Sequence, residues 1–166
     1  MEDLLNKEPV KRVLKVLSNF DESLKVETLI SSARTAKDAS ESLKTEVGSI
    51  VKSLLLRTKS SFLLCLVAGD KRCSLNKIKK LLNEKDVSMA NAEQVKEITG
   101  FTIGGVSPVG HLNKIDIFID ESLERFENVF AAAGHPNSIF KISFENLCKI
   151  TNGLIKDISE WENQKF

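Results

Sequence analysis

Seven consecutive apolar residues, Phe62-Leu63-Leu64-Cys65-Leu66-Val67-Ala68, form the longest hydrophobic run in the chain. A run this short falls far below the roughly 20 residues that cross a bilayer as a helix, and it fits a strand buried on both faces. Such a strand demands a core around it. With 166 residues, 42% of them apolar, the chain can supply one. A fold of this size removes roughly 70% of the extended chain's surface from water without metal or disulfide staples. The polar link Thr58 to Ser61 joins the run to Ile50-Val51-Lys52-Ser53-Leu54-Leu55-Leu56-Arg57, and two β-prone runs on a short link read as a hairpin.

Amphipathic segments surround this hairpin. Val10, Val13, Leu14 and Leu17 recur at helical spacing, with Lys11, Arg12 and Lys15 turned away, which predicts an N-terminal helix. Leu24 to Ile30 nearly alternates like a half-buried strand, and Thr35 with Asp38 three residues later opens a helix to about Leu43. Leu75, Ile78 and Leu82 mark another helix, Val87 to Ala90 a short strand, and Asn91 caps a helix ending at Gly100. Ile115 to Ile119 alternates as a strand and Asp120 caps a short helix. Strands at Val129 to Ala133 and Ser138 to Ile142 flank the turn Gly134-His135-Pro136-Asn137, Ser143 starts a helix through Ile150, and Leu154 to Ile158 is a last strand before a polar tail. Without repeats or linkers, the pattern predicts one domain over residues 1–166. Several links are too short for parallel crossovers, so the fold class is α/β of the α+β kind, with a mixed, barrel-like sheet surrounded by helices.

Charge is balanced, with 24 Lys and Arg against 23 Asp and Glu, so only local basic patches can be an electrostatic footprint. Three scattered cysteines, Cys65, Cys73 and Cys148, fit reduced thiols packed as small apolar groups. With no secretory signal at Met1-Glu2-Asp3, the expected location is cytoplasmic, away from membranes. His111 and His135 are the only histidines and lack the H-E-x-x-H or paired-cysteine context of a metal site, so neither metal nor cofactor is expected. Gly105-Val106-Ser107-Pro108-Val109 has valine where the second glycine of G-x-S-x-G must sit, which argues against a serine nucleophile. No phosphate-cradling glycine motif is present.

Three features remain: Lys52 inside an apolar strand, the loop Gly104-Gly105-Val106-Ser107-Pro108-Val109-Gly110, and His135 in a turn. Together with Thr35-Ala36-Lys37-Asp38-Ala39, Gly48 to Leu54, Ala68-Gly69-Asp70, Met89-Ala90, Thr99-Gly100-Phe101, Ile119-Asp120 and Ala133-Gly134, they resemble the YbaK family. This is the editing domain also found in or beside bacterial prolyl-tRNA synthetases. The resemblance spans roughly residues 25–158, leaving 1–20 as a helical extension. It implies hydrolysis of the ester joining a wrong amino acid to the 3′ end of a tRNA, by a free-standing enzyme acting in trans. It also places Lys52 beside the terminal adenosine, Gly104 to Pro108 against the aminoacyl group, His135 at the pocket wall, and Ser53 where the family often has a small polar residue.

The residues themselves allow blander uses. Most strand lysines face bulk water. Gly104 and Gly105 serve a tight turn or aim amides at an oxyanion, and the two uses are compatible. His135 serves equally as a turn residue bonded to its own backbone or as a pocket donor, and His111 reads as a loop residue. Lys71, Arg72, Lys77, Lys79, Lys80 and Lys85, joined by Lys11, Arg12 and Lys15, form either a solvated face or a phosphate-binding patch.

The resemblance therefore predicts a deacylase for mischarged tRNA, with tRNA(Pro) bearing a small noncognate amino acid as the expected substrate and prolyl-tRNA synthetase or another translation factor as a possible partner. In it the terminal ribose hydroxyl orients water, Lys52 fixes the adenosine, and amides near Gly105 and Val106 hold the carbonyl oxygen. Ser53, Ser107, Pro108 and His135 are the expected substrate contacts. Two alternatives stay open: a Cys-tRNA(Pro) deacylase using the substrate's own thiol, and a noncatalytic tRNA- or synthetase-binding module. No DNA partner is expected.

Overall fold

The computed structural model describes residues 2–29 and 35–162. Its centre is β3 (Phe62–Ala68), the apolar run. Leu64, Leu66 and Ala68 point into one hydrophobic cluster, and Leu63, Cys65 and Val67 into a second on the opposite face. This two-sided burial is why the strand shows no polar alternation. β2 (Val51–Arg57) pairs antiparallel with β3 along its whole length, from Val51 opposite Ala68 to Arg57 opposite Phe62, as the hairpin reading requires.

β5 (Ser88–Met89) lies outside β2, while β6 (Asp116–Asp120) and β9 (Leu154–Lys156) follow β3 in parallel, completing a five-stranded mixed sheet in the order β5-β2-β3-β6-β9. β1 (Val26–Thr28), β7 (Asn128–Ala132) and β8 (Ser138–Ser143) form an antiparallel sheet in the order β1-β8-β7, and β4 (Lys71–Cys73) pairs with β10 (Ser159–Trp161). The sheet is mixed, as expected, but among the described residues the pairing divides over these three sheets without closing into a ring. An Ile50–Phe130 bridge links the two larger ones.

Helices α1 (Glu2–Leu5), α2 (Glu8–Phe20), α3 (Ala36–Leu43), α4 (Leu75–Leu82), α5 (Ala92–Thr99) and α6 (Phe144–Thr151) cover the sheets. None of the described helices is long and apolar enough to cross a membrane. The oxygens of Thr35, Ser74, Asn91 and Ser143 each accept the N–H three residues on, which satisfies one of the orphan donors that every helix start leaves. Short 3-10 turns occupy Val47–Ser49 and Glu121–Arg125.

Several segments depart from the sequence reading, α1 and β4 among them, which were not expected. The strand expected over Leu24 to Ile30 is confined to Val26–Thr28, and Ile30 lies outside the described residues. The expected last strand is two strands, and what looked like a polar tail contributes β10. The break falls at Ile158, whose side chain is buried and whose N–H donates to Asp120 Oδ1 at 2.9 Å.

Asp120 itself is fully buried and its Oδ2 accepts from Ser159 Oγ at 2.7 Å, from Ser122 N at 3.1 Å and from Ser122 Oγ. Its carboxylate thus fixes where β10 begins. Asp120→Ala would leave the Ile158 N–H and the Ser159 hydroxyl buried without an acceptor. Each such group costs about 1–3 kcal/mol, so denaturant unfolding should show a loss of about 2–6 kcal/mol.

Candidate functional site

A cleft of about 1340 Å³ opens along β2. Its walls come from β2 (Val51 to Leu55), from α3 (Ala36 to Glu41), from Gly69 and Asp70, from Ile103, Gly104 and Val106, from Ala132, Pro136 and Ser138, and from Trp161 and Glu162. β5 pairs only with Leu56 and Arg57. The Leu55 carbonyl accepts from Ala90 N on that same side, so by strand alternation the N–H and C=O of Ser53 point to the uncovered edge beyond it.

Lys52 and Ser53 stand on opposite faces of β2, because successive side chains of a strand alternate. The Lys52 ammonium donates to the Lys71 carbonyl and lies 3.4 Å from Glu162 Oε1. An ammonium has three protons to donate, so one remains for a bound group. The Ser53 hydroxyl is buried and has no hydrogen-bond partner among the described residues. Leaving it so costs about 1–3 kcal/mol unless a ligand completes it.

The glycine loop contributes through its backbone. Gly104 has φ +94°, a conformation open to glycine at little cost. Gly104 and Val106 both line the cleft, and neither N–H has a backbone or side-chain acceptor among the described residues. The Gly105 N–H, expected to face the carbonyl oxygen, instead donates to Thr102 O at 2.9 Å and closes the turn. Gly105 packs against the neighbouring turn so tightly that a Cβ there would meet His135 Cα at 2.9 Å.

Ser107, Pro108 and His135 do not line the cleft. Ser107 is fully buried behind the loop, where its hydroxyl accepts from Val109 N at 3.2 Å, and Pro108 is buried beside it. His135 Nδ1 accepts from Asn137 N at 3.0 Å, which is the turn use of the imidazole. Its part in the site is to back Gly105.

The N-terminal helix holds the loop from outside. Arg12 donates to the carbonyls of Gly110 and Gly100 at 3.0 Å each, and to Glu8 at 3.1 Å. Its guanidinium is therefore spent on the fold, which removes it from the phosphate patch. Arg72 and Lys77 are likewise paired, with Glu160 at 2.9 Å and Asp157 at 2.8 Å. Lys71, Lys79 and Lys80 have no carboxylate partner among the described residues. The Cys65 thiol is pushed up by its hydrogen bond to Cys73 and by burial, so it is inert as a nucleophile.

His111 is more than a loop residue. Its Nε2–H donates to Ser107 O at 2.7 Å, and its ring meets Phe101 edge-on at 5.9 Å. Burial holds its pKa below the ordinary 6.5, the Arg12 charge acts in the same direction, and the Ser107 hydrogen bond opposes them. The folded protein thus binds fewer protons here than the unfolded chain. The stability from neutral His111 is complete above about pH 6.5 and is lost as pH falls through the depressed folded value. Thermal melting should drop between pH 7.5 and 5.5, and His111→Gln should flatten that slope.

Several contributors were not foreseen. Arg125 grips Asp70 with two hydrogen bonds of 2.8 and 2.9 Å, which holds the Asp70 carboxyl below its usual range and seats it at the cleft wall. Trp161 and Glu162 reach the cleft only through the β10–β4 pairing. The lone tryptophan in a polar tail was the one available signal. Among the described residues, no cluster of three or more His, Cys, Asp and Glu side chains is placed to hold a metal ion.

The aminoacyl-tRNA editing domain model matches residues 30–150, most of the chain. The chain belongs to the aminoacyl-tRNA editing domain family. Editing domains of this family act on aminoacyl-tRNA. Among similar solved structures, one described as a "putative trans-editing enzyme for prolyl tRNA synthetase" superposes with a TM-score of 0.88 at 37% identity, over 93% of this chain and 98% of that one. The "Putative Cys-tRNA(Pro)/Cys-tRNA(Cys) deacylase EbsC" of Enterococcus faecalis is 26% identical over 129 residues, covering 77% of this chain and 79% of that protein. A proline–tRNA ligase of Kosmotoga olearia is 36% identical over 95 residues, 57% of this chain. The match spans only 16% of that ligase's length.

Proposed function

We propose that this editing domain acts in trans on tRNA(Pro) charged with a small noncognate amino acid, in the cytoplasm, and that the cleft along β2 is where the ester is cut. The observation carrying the reading is that one cleft gathers the Lys52 ammonium, the partnerless Ser53 hydroxyl and the unpaired N–H groups of Gly104 and Val106. Each of these groups can donate a hydrogen bond, which suits phosphate, ribose and a developing oxyanion.

Water attacks the ester carbonyl carbon, negative charge builds on the carbonyl oxygen, and the bond to the ribose oxygen then breaks as that oxygen takes a proton. Lys52 holds the terminal adenosine with its remaining N–H. The Gly104 and Val106 amides stabilise the oxyanion, a revision that moves this role off Gly105. No side-chain base is assigned, so the neighbouring ribose hydroxyl orients the attacking water. Ser53 binds the aminoacyl end, and Val51, Val106, Ala132 and Ile139 bound a small apolar pocket. Such walls distinguish one methylene by only about 1–3 kcal/mol.

The deacylase name of the Enterococcus relative supports a second reading, in which a cysteine substrate's thiol attacks its own ester. Substrates ending in 2′- or 3′-deoxyadenosine separate the two. Under the water reading, loss of the free ribose hydroxyl lowers hydrolysis of alanyl, seryl and cysteinyl esters alike. Hydrolysis confined to cysteinyl esters, and indifferent to that hydroxyl, would replace it with the thiol reading.

A further inference from the structure

Trp161 is the chain's sole tryptophan, and it is 61% exposed on the wall of the cleft. Its position is built. Asp120 fixes the preceding Ile158 and Ser159, and β10 sets Trp161 directly opposite Lys71 of β4. Lys71 Nζ lies 4.4 Å from the ring centroid and Arg125 Cζ lies 5.3 Å from it. The next residue, Glu162, reaches Lys52.

An indole held this far out of the core adds little to folding through burial, yet two cations and the β10–β4 pairing fix its orientation. Arg125 is neutralised by Asp70, whereas Lys71 has the ring as its partner and no carboxylate among the described residues. An aromatic ring this exposed, beside a lysine with no carboxylate partner among the described residues, matches a nucleotide, with a flat base for the ring and a phosphate for the ammonium.

We infer that Trp161 is a stacking platform for an unpaired nucleobase at the 3′ end of the aminoacyl-tRNA, with Lys71 on a phosphate of that nucleotide. The inference rests on the proposed function for the source of the base. It adds a positioning residue one step along the chain from the Lys52 contact. Stacking there brings the ribose toward Lys52 and makes it compete with Glu162 for the ammonium.

The sole tryptophan also reports on itself. Adenosine 5′-monophosphate and the trinucleotide CCA, titrated into the full chain, should quench its fluorescence saturably, whereas ribose 5-phosphate should not. In deacylation assays Trp161→Ala should raise KM about tenfold or more with kcat little changed, as expected for the loss of one base stack. Trp161→Phe, which keeps an aromatic face, should recover most of that loss. A merely structural role would lower the melting temperature and leave the phenylalanine variant no better than alanine. Absence of quenching by both nucleotides overturns the platform whether or not hydrolysis occurs, as does an unchanged KM in Trp161→Ala. Quenching without hydrolysis of any aminoacyl-tRNA supports the platform and removes the proposed function instead.

Discussion

Lys52→Ala should lower kcat/KM for deacylation about 100-fold while the melting temperature stays within a few degrees of the parent. A 100-fold loss is about 2.7 kcal/mol, inside the roughly 1.5–3 kcal/mol of a hydrogen bond to a charged group. The fold tolerates the change because the Lys52–Glu162 pair is partly solvated, and such pairs contribute about 1 kcal/mol or less. Lys52→Arg should restore only part of the rate, since a planar fork does not reproduce a point ammonium held by the Lys71 carbonyl. Single-turnover hydrolysis alongside a thermal melt measures both quantities. An unaltered rate in Lys52→Ala would remove the lysine from the mechanism.

Gly105→Ala should cost about as much in kcat by a different route. The added Cβ would lie 2.9 Å from His135 Cα and 3.0 Å from His135 N, and backbone atoms cannot swing aside as a side-chain tip can. The loop carrying Gly104 and Val106 must move instead. A displacement near 1 Å at reacting groups costs on the order of 100-fold. The melting temperature should fall as well, because the Gly105–Thr102 turn and the His135 turn are pushed apart. Gly104→Ala is the contrast: the nearest atom to its Cβ is Pro136 Cγ at 3.6 Å, so it has room but carries the strain of φ +94°, about 1–2 kcal/mol. If Gly105→Ala turns over like the parent, the two turns are not packed as described.

Local chemistry made much of this legible in advance. The hairpin of β2 and β3 announced itself because an apolar run needs a partner of matching length, and Thr35, Asn91 and Ser143 are cap residues by their own oxygen geometry. Lys52 and the glycine loop were visible as the exceptions in their surroundings. What the sequence hid depends on pairing across distance. Residues 159–161 become β10 only because equally short β4 meets them, and three-residue strands carry no periodicity to read. Arg12 looked like a phosphate ligand on an exposed helix face, yet it folds back onto the Gly100 and Gly110 carbonyls. Which amides of the loop are spent on turns is equally invisible: Gly105 looked available, and Thr102 takes it. Ser107 and Pro108 belong to the motif in sequence, yet they and His135 stand behind the cleft-lining part of it in space.

An editing cleft along β2 must hydrolyse mischarged tRNA and spare the cognate product. The most direct test is release of amino acid from tRNA(Pro) charged separately with alanine, serine, threonine, cysteine or proline, using the unmodified chain in catalytic amounts. Multiple-turnover hydrolysis of at least one noncognate ester, with prolyl-tRNA(Pro) left intact, is the predicted result. Tight binding of these tRNAs with no ester cleaved across the panel would contradict it and favour a noncatalytic tRNA-binding module.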